Sequence, residues 1–374
     1  MSHEPKMPTV EATQAATGKK VRILMIGAGN IANTHLDAYR KVPQAEIVGV
    51  CDIDKARMDM TCNRFGIPEE LRYTDLDTML AEKAKEADAA DVCVWNCSHA
   101  SCAIAALNAG LNVLCEKPMA FNTEQAIAMK DAADKNGKLL MIGFVCRFEN
   151  PHTVARDFID NGFLGKPYYA KATYLRRHGS PGGWFSDKSR SGGGPVIDIG
   201  VHVIDESRVL MGSPKPVSVF ASTSNLLGSR PYLKTDVEWK PIGASDKDPF
   251  TVEDFATALI RFDNGAVMLL ETSYSLNGEP VTKSEIYGDK GGMYLGHKLK
   301  LYTEMNGYLA DVTPDTSCLK GGNSNGFVVE ISHFVDCVAN GTPCRASAED
   351  GIWVMKILDA IYESAATGHE VIIK

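Results

Sequence analysis

The chain has 374 residues, of which 44% are hydrophobic and 23% charged, and its formal net charge is −8. This length suffices for two domains that each bury a core, and an acidic balance without a dense basic stripe argues against a nucleic-acid partner. No apolar run reaches the roughly 18 residues of a membrane span, so we expect no membrane partner.

The first segment, residues 1–20, is polar and lacks the apolar region of a secretion signal, so we expect a mobile N-terminal tail. The ten cysteines form no Cys-x-x-Cys pair and lie mostly in apolar segments, which is typical of reduced thiols in a cytoplasmic protein. Cys97, His99 and Cys102 fit no structural zinc spacing, and we expect no metal site.

A glycine-rich turn follows the first predicted strand. The apolar run Val21–Ile26 leads into Gly27-Ala28-Gly29-Asn30-Ile31-Ala32, which opens a helix that extends to Tyr39. In this pattern the first glycine permits a tight turn, the second lets the backbone approach a pyrophosphate, and the helix N-terminus faces the phosphates. The residues predicted to bind a dinucleotide here are Gly27, Gly29, Asn30 and Ile31.

The second predicted strand, Ala45–Cys51, ends at an acidic residue. Asp52 stands where a carboxylate accepts hydrogen bonds from the adenosine ribose hydroxyls and repels a 2′-phosphate. The sequence therefore predicts NAD rather than NADP as the cofactor. Asp54 offers the same chemistry, while Lys55 and Arg57 nearby weaken the exclusion of NADP.

Strands and helices alternate as far as about residue 143. The pattern predicts helices Lys55–Phe65, Ala100–Ala109 and Thr123–Asn136, and strands Asp91–Trp95, Asn112–Cys115 and Leu139–Gly143. Repeated β-α units with continuous apolar strands indicate a doubly wound parallel sheet, a Rossmann α/β domain over residues 21–145.

Glu116-Lys117-Pro118 follows strand Asn112–Cys115 at its carboxyl end, the edge where doubly wound sheets place ligands. A lysine cation in a partly dry cleft stabilises a developing alkoxide, so Lys117 is a candidate catalytic and substrate-binding residue. We expect Glu116 to contact a ribose hydroxyl or Lys117. The alternative is a solvated lysine in an ordinary turn.

From about residue 170 the predicted strands mostly alternate between apolar and polar residues. They are Val217–Thr223, Ala256–Phe262, Ala266–Ser273, Ser284–Tyr287 and Leu299–Thr303. Asp263-Asn264-Gly265 predicts a tight hairpin, and helices Phe327–Ala339 and Ala348–Ala366 close the chain. Residues 146–374 are thus predicted to form a C-terminal α+β domain with a large, mostly antiparallel sheet.

The run from Gly192 to Asp205 is the most informative segment. Three glycines lead into an apolar stretch whose only polar side chains are Asp198, His202 and Asp205. On a helix these three share one face, where a carboxylate can orient the histidine and raise its proton affinity for general base catalysis. The alternative is a buried histidine satisfied by an aspartate in a core helix, and Asp205 also fits a structural role.

Together these motifs resemble the Gfo/Idh/MocA oxidoreductase family, which includes glucose-fructose oxidoreductase and inositol dehydrogenases. The resemblance covers nearly all of residues 21–374 and is most specific at Gly27–Ala32, Glu116-Lys117-Pro118 and the run from Gly192 to His202. It implies hydride transfer between a nicotinamide cofactor and a CH–OH group of a sugar, sugar derivative or cyclitol. The catalytic group that it implies comprises Lys117, Asp198 and His202.

The resemblance implies further features. Asn96 and His99 are expected at the cofactor, and the Lys117–Pro118 peptide is expected to be cis. Where the family has Thr-Pro-Asn, this chain has Val94-Trp95-Asn96, so Trp95 is expected to reshape the loop beside the nicotinamide. Relatives pair through an open sheet face, and we expect a homo-oligomer, either a dimer or a tetramer.

Substrate contacts are expected from the glycine-rich loop Arg176–Phe185 and from the domain junction. Trp184 can stack on a sugar ring, and Arg176 and His178 can hold a carboxylate or phosphate. Arg147, just after the last strand of the first domain, is another candidate. A solvated basic turn with a packed tryptophan is the alternative.

Two other functions remain open at this stage. A glycosidase that uses tightly held NAD to oxidise and re-reduce its sugar predicts no net release of NADH. A non-catalytic sugar-sensing regulator would keep the fold, but such proteins usually lose the catalytic lysine or histidine, and this chain retains Lys117 and His202.

Overall fold

The structure, a computed structural model, describes residues 20–230, 232–234, 240–245, 247–315 and 325–374. The mobile tail predicted over residues 1–20 lies outside these ranges except for Lys20. None of the described helices is both long and apolar enough to cross a membrane.

The first half of the chain forms a six-stranded parallel sheet with helices between its strands. The strands are β1 Val21–Ile26, β2 Ala45–Cys51, β3 Arg72–Tyr73, β4 Ala89–Val92, β5 Asn112–Glu116 and β6 Leu140–Gly143. The helices are α1 Asn30–Tyr39, α2 Lys55–Phe65, α3 Leu76–Lys83, α4 His99–Asn108 and α5 Thr123–Asn136. The spatial order β3-β2-β1-β4-β5-β6 reverses between β1 and β4, which is where doubly wound sheets bind ligands.

These elements begin and end close to the predicted positions. Helix α5 is capped at its start by Asn122, whose side chain accepts a hydrogen bond from the Gln125 N–H. It is capped at its end by Gly137, with a φ of +60°. The strand predicted over Asp91–Trp95 is instead β4, Ala89–Val92. Beyond Val92 the chain leaves the sheet and forms the loop that leads to α4.

The second half contains a nine-stranded, mostly antiparallel sheet. Its strands are β7 Pro167–Leu175, β8 Pro216–Ser224, β9 Phe255–Phe262, β10 Val267–Ser273, β11 Val281–Gly288, β12 Gly292–Leu295, β13 Leu299–Met305, β14 Tyr308–Val312 and β15 Val371–Ile372. Its helices are α6 Asn150–Asp160, α7 Lys188–Ser191, α8 Val201–Leu210, α9 Gly326–Asn340 and α10 Ala348–Thr367. The order is β14-β13-β12-β11-β7-β10-β9-β8-β15, and only the β7–β10 pair is parallel among these described strands. The predicted fold class is confirmed.

Helices cover one face of this large sheet. Ala172, Ala258 and Leu270 point to that face and are buried, and α8 and α10 pack there. On the opposite face Phe220 pairs with Leu259, and these two side chains are 54% and 44% exposed. The sheet thus has one face in the core and one open face on which large apolar side chains are exposed.

The segment predicted as one helical face is divided between two helix types. Residues Val196–Gly200 form a π-helical turn, and only then does α8 begin at Val201. A π-turn holds more residues per turn than an α-helix. Asp198 and His202 stay partly exposed, whereas Asp205 is buried and pairs with Arg147.

Candidate active site

A cleft of about 1170 Å³ lies at the carboxyl ends of the parallel strands, with its far wall built by the second half of the chain. All the predicted cofactor residues line it: Gly27, Gly29, Asn30, Ile31, Asp52, Asn96, His99, Glu116 and Lys117. So do four predicted substrate or catalytic residues, Arg176, Trp184, Asp198 and His202. The fold thus gathers both predicted sets into one cleft.

The glycine-rich turn has the geometry of a phosphate site. Gly27 has a φ of +103°, and a Cβ there would lie 2.2 Å from the Cys93 carbonyl oxygen, so only glycine fits. A Cβ on Gly29 would meet no protein atom within 4 Å, which leaves open space in front of α1. No side chain caps that helix, so its first N–H groups are available to an anion.

Asp52 is committed to several partners. Its carboxylate accepts hydrogen bonds from the backbone N–H groups of Ala28 and Asp54, each at 2.8 Å. The guanidinium of Arg57 donates to both carboxylate oxygens at 3.1 Å. Asp52 therefore holds the glycine turn in place, and its charge is neutralised by an arginine.

Asn96 and His99 hold the loops that face the cleft. The His99 ring lies between the carbonyl oxygens of Pro118, at 2.7 Å, and Val94, at 3.1 Å. Burial lowers the pKa of His99, against the opposing effect of the hydrogen bonds to these two carbonyl oxygens. Asn96 Nδ2 donates to the Ser191 carbonyl at 2.7 Å, which links the two halves of the chain. The Lys117–Pro118 peptide is cis, as the resemblance implies.

Lys117 and Asp198 form an ion pair inside the cleft. Lys117 Nζ donates to the Asp198 carbonyl at 2.8 Å and to its carboxylate at 3.2 Å. The hydroxyl of Tyr274 donates to the other carboxylate oxygen at 2.9 Å. Burial alone would raise the pKa of Asp198, but Lys117, Arg176 and Tyr274 together lower it, so this aspartate is ionised.

His202 is partly buried at the cleft and has no charged hydrogen-bond partner among the described residues. Its Nδ1 lies 3.7 Å from the Cys146 thiol, while the nearby aspartate is engaged with Lys117. Burial, followed by the positive charge of Lys117, lowers the pKa of His202 to about 3, against the opposing effect of Asp198. Asp198 does raise the proton affinity of His202, as predicted, but burial and the charge of Lys117 outweigh it. His202 is a neutral imidazole.

The structure corrects two predicted substrate contacts. Arg147 and His178, both in the described part of the chain, are not among the residues that line the cleft. Arg147 is buried, with its Nε donating to Asp205 at 2.8 Å and a terminal nitrogen donating to Asp350 at 3.0 Å. A charged residue just after a strand can thus form a structural ion pair instead of contacting a substrate. Asp205 is the structural partner of Arg147.

Two residues at this site were not predicted from the sequence. Tyr274 directly follows β10, and its hydroxyl bonds to Asp198. The sequence signal that could have indicated it is a tyrosine at the end of a strand that reaches the cleft. Glu253 accepts hydrogen bonds from the backbone N–H groups of Gly194, at 3.0 Å, and Val196, at 3.2 Å. Gly194 leaves no room for a Cβ, which would lie 2.2 Å from the Glu253 carbonyl. This glycine therefore permits close packing beneath the segment that carries Asp198 and His202.

An aromatic pair forms the wall opposite the strand ends. Trp184 and Phe185 stack with ring centroids 4.0 Å apart, and both line the cleft. Arg176 donates from its guanidinium to the Tyr174 hydroxyl at 3.0 Å and also lines the cleft. An apolar ring face and a cation therefore border the space beside Asp198 and His202.

Comparisons with known proteins show the family to which the chain belongs. Residues 21–144 match the oxidoreductase family described as having an NAD-binding Rossmann fold, and residues 152–294 match the GFO/IDH/MocA C-terminal domain. The D-glucoside 3-dehydrogenase of Escherichia coli (strain K12) is 33% identical over 96% of this chain and 99% of its own length. The scyllo-inositol 2-dehydrogenase (NAD(+)) of Bacillus subtilis (strain 168) is 26% identical over 86% of this chain and 87% of its own.

Solved structures give the same result. A levoglucosan dehydrogenase in complex with NADH superposes with a TM-score of 0.82 at 26% identity, covering 95% of this chain and 100% of its own. The similarity thus extends over both sheets.

Proposed function

Because the chain belongs to the Gfo/Idh/MocA oxidoreductase family and binds NAD in a Rossmann domain, we propose that it oxidises one ring CH–OH group of a pyranose sugar or glycoside. The broader activity is hydride transfer between NAD and a CH–OH group of a sugar, sugar derivative or cyclitol, which the named relatives share. The observation that carries the proposal is the Lys117–Asp198 ion pair beside neutral His202, in the cleft that contains the glycine-rich turn.

The cleft fits NAD at the phosphate end, where Gly29 leaves open space before the uncapped helix α1. NAD, when bound, supplies the hydride acceptor. Lys117 hydrogen-bonds the reacting hydroxyl and stabilises the negative charge that develops on its oxygen. Asp198, ionised and held by Tyr274, keeps the lysine in place and accepts a hydrogen bond from the sugar.

His202 takes the hydroxyl proton in this mechanism. An imidazole with a lowered pKa is unprotonated at any ordinary pH, so its lone pair is always available, although its driving force as a base is modest. The positive charge of Lys117 compensates, because it lowers the pKa of the hydroxyl that hydrogen-bonds to it.

The aromatic pair favours a cyclic substrate. A pyranose ring presents an apolar C–H face that packs against the Trp184–Phe185 stack, whereas an open-chain polyol has no such flat face. D-glucoside and levoglucosan, named for two relatives, are both cyclic. Arg176 adds a donor for ring substituents.

A substrate panel tests this proposal. Purified protein with NAD is offered methyl glucosides, levoglucosan, inositols and open-chain polyols, and NADH formation is followed by absorbance. We expect the highest kcat/KM with a glycoside and a keto-glycoside as product. Preference for an open-chain polyol would contradict the substrate class, and cleavage of an aryl glycoside without NADH release would contradict the reaction.

We propose that residues 21–145 hold the nucleotide and that residues 146–374 hold the substrate and assemble the protein. The open face of the large sheet carries Phe220 and Leu259, and covering it with a second copy would bury them. This supports a homo-oligomer. The cysteines that the structure describes are free thiols, which supports a cytoplasmic location.

A further inference from the structure

A buried polar cluster lies directly beneath the cleft, and the proposed mechanism does not use it. His35, on α1, has no exposed surface. Its Nδ1 lies 2.8 Å from a carboxylate oxygen of Asp91, on β4, and its Nε2 lies 3.0 Å from a carboxylate oxygen of Glu116, on β5. One helix and two strands of the Rossmann domain thus meet at the His35 imidazole.

Both ring nitrogens of His35 face carboxylates, and this determines the charge of the ring. A carboxylate accepts hydrogen bonds only, and a neutral imidazole has one N–H, so only the imidazolium satisfies both partners. Burial alone lowers the pKa of His35, but Asp91, with Cys93, raises it well above the ordinary value. We therefore assign His35 as a buried cation between the side chains of Asp91 and Glu116.

Glu116 connects this cation to the candidate catalytic lysine. One of its carboxylate oxygens faces His35, and the other accepts the backbone N–H of Lys117 at 3.0 Å. Gly143 lies against Glu116, and a Cβ at that position would be 3.1 Å from the carboxylate. Glu116 is thus held on several sides, and both of its oxygens have partners within the protein.

A third acid borders the cluster from the second half of the chain. Glu330, on α9, is fully buried, and neither carboxyl oxygen has a hydrogen-bond partner among the residues that the structure describes. Burial first, and then the charges of Glu116 and Asp91, raise the pKa of Glu330 well above its ordinary value, against the effect of His35. Glu330 is therefore neutral, and its amide Glu330→Gln is a matched control with the same shape and charge.

We propose that His35 is a positioning residue for Lys117: its imidazolium, clamped by Asp91, fixes the Glu116 carboxylate, which in turn fixes the Lys117 backbone. This inference rests on the catalytic role of Lys117 in the proposed function. The chain of contacts extends from the interior of the sheet to the ion pair with Asp198, so disturbing His35 displaces the lysine amine without touching the substrate.

The charge on His35 is measured directly by ¹⁵N NMR of the wild-type protein at about pH 8, with the His35→Gln spectrum as the assignment. Two protonated ring nitrogens are expected. A single protonated nitrogen would overturn the inference and leave the chemistry of Lys117 intact. A stoichiometric metal ion bound to wild type but not to His35→Gln would also overturn it, because His35, Asp91 and Cys93 offer ligand atoms within 4.8 Å of one another.

The positioning role is measured by kinetics. His35→Gln and Asp91→Asn are expected to lower kcat by about tenfold or more while the NADH dissociation constant stays nearly constant, and Glu330→Gln is expected to match wild type. In a Lys117→Ala background, His35→Gln should cause no further loss, because both changes remove the same contribution. The inference would be overturned if His35→Gln lowered only the affinity for NADH. It would also be overturned if His35→Gln lowered kcat by the same factor in the Lys117→Ala background as in wild type. A fully active Lys117→Ala enzyme would instead overturn the proposed role of Lys117.

Discussion

Asp198 and His202 stand four residues apart, yet the fold gives their side chains different partners. Asp198 lies against Lys117 and Tyr274, and His202 lies against Cys146. The residue types and their presence in one site could be predicted from the sequence. Their pairing could not, because the π-turn at residues 196–200 and the hydroxyl of Tyr274 depend on distant parts of the chain.

The pH dependence of oxidation follows from His202. A base works in its unprotonated form, and with a pKa of about 3 this form persists until the pH falls far below neutrality. We therefore expect kcat/KM to show no loss near pH 6.5, where an ordinary histidine becomes protonated. The check is a profile from about pH 8 to pH 5. An acidic limb near pH 6.5 that is absent from His202→Ala would contradict this.

Cofactor choice depends on Asp52 and Arg57. Removing the carboxylate in Asp52→Ala frees the Arg57 guanidinium beside the strand end where the ribose is expected, and a free guanidinium attracts a 2′-phosphate. The wild type is expected to prefer NAD, and Asp52→Ala is expected to shift the NAD:NADP ratio of kcat/KM by about tenfold or more towards NADP.

The Asp52→Ala, Arg57→Ala double variant is the control, since it lacks the freed cation and should not gain NADP activity. Asp52→Ala can also weaken the glycine turn, but that change lowers kcat/KM with both nucleotides. The NAD:NADP ratio of kcat/KM is therefore unaffected by it. A wild type that is faster with NADP would show that Asp52 does not have the predicted role.

At the scale of elements, alternating patterns and turn residues predicted most boundaries. Helices Lys55–Phe65 and Thr123–Asn136 occur at the predicted residues, because a cap residue and a glycine with positive φ mark their ends. The strand predicted through Trp95 ends at Val92. The hydrophobic pattern of residues 91–95 shows that this segment is apolar. It does not show where the chain leaves the sheet to line a cleft.

The glycine turn offers a test that separates ligand binding from stability. Gly29→Ala places a methyl group in open space at a φ of −77°, so the free energy of unfolding should stay unchanged while NAD affinity falls by about tenfold or more. Gly137→Ala, at a helix end with a φ of +60°, should have the reverse effect, with stability lower by about 1 kcal/mol and NAD affinity kept. Denaturant unfolding and NADH titration measure both. Unchanged NAD affinity in Gly29→Ala would contradict the phosphate site.

At the scale of the whole molecule, the open sheet face is where copies are expected to meet. Leu259→Asp places a charge on that face beside Phe220, so we expect the oligomer to dissociate to a monomer of 40.5 kDa with its NAD affinity intact. Leu226→Asp is the control, because Leu226 is 86% exposed and lies outside the strands of the sheet. Light scattering at micromolar concentration measures the mass, and a monomeric wild type would contradict this assembly.

Lys117 is proposed to carry the electrostatic part of hydride transfer at this site. The most direct measurement is the single-turnover rate of NADH formation by wild type, Lys117→Arg and Lys117→Ala with saturating NAD and the preferred glycoside. We expect Lys117→Ala to lose about 10²–10³ in rate with NAD affinity retained, and Lys117→Arg to keep part of the rate because it keeps the charge. A Lys117→Ala enzyme that forms NADH at the wild-type rate would contradict the account.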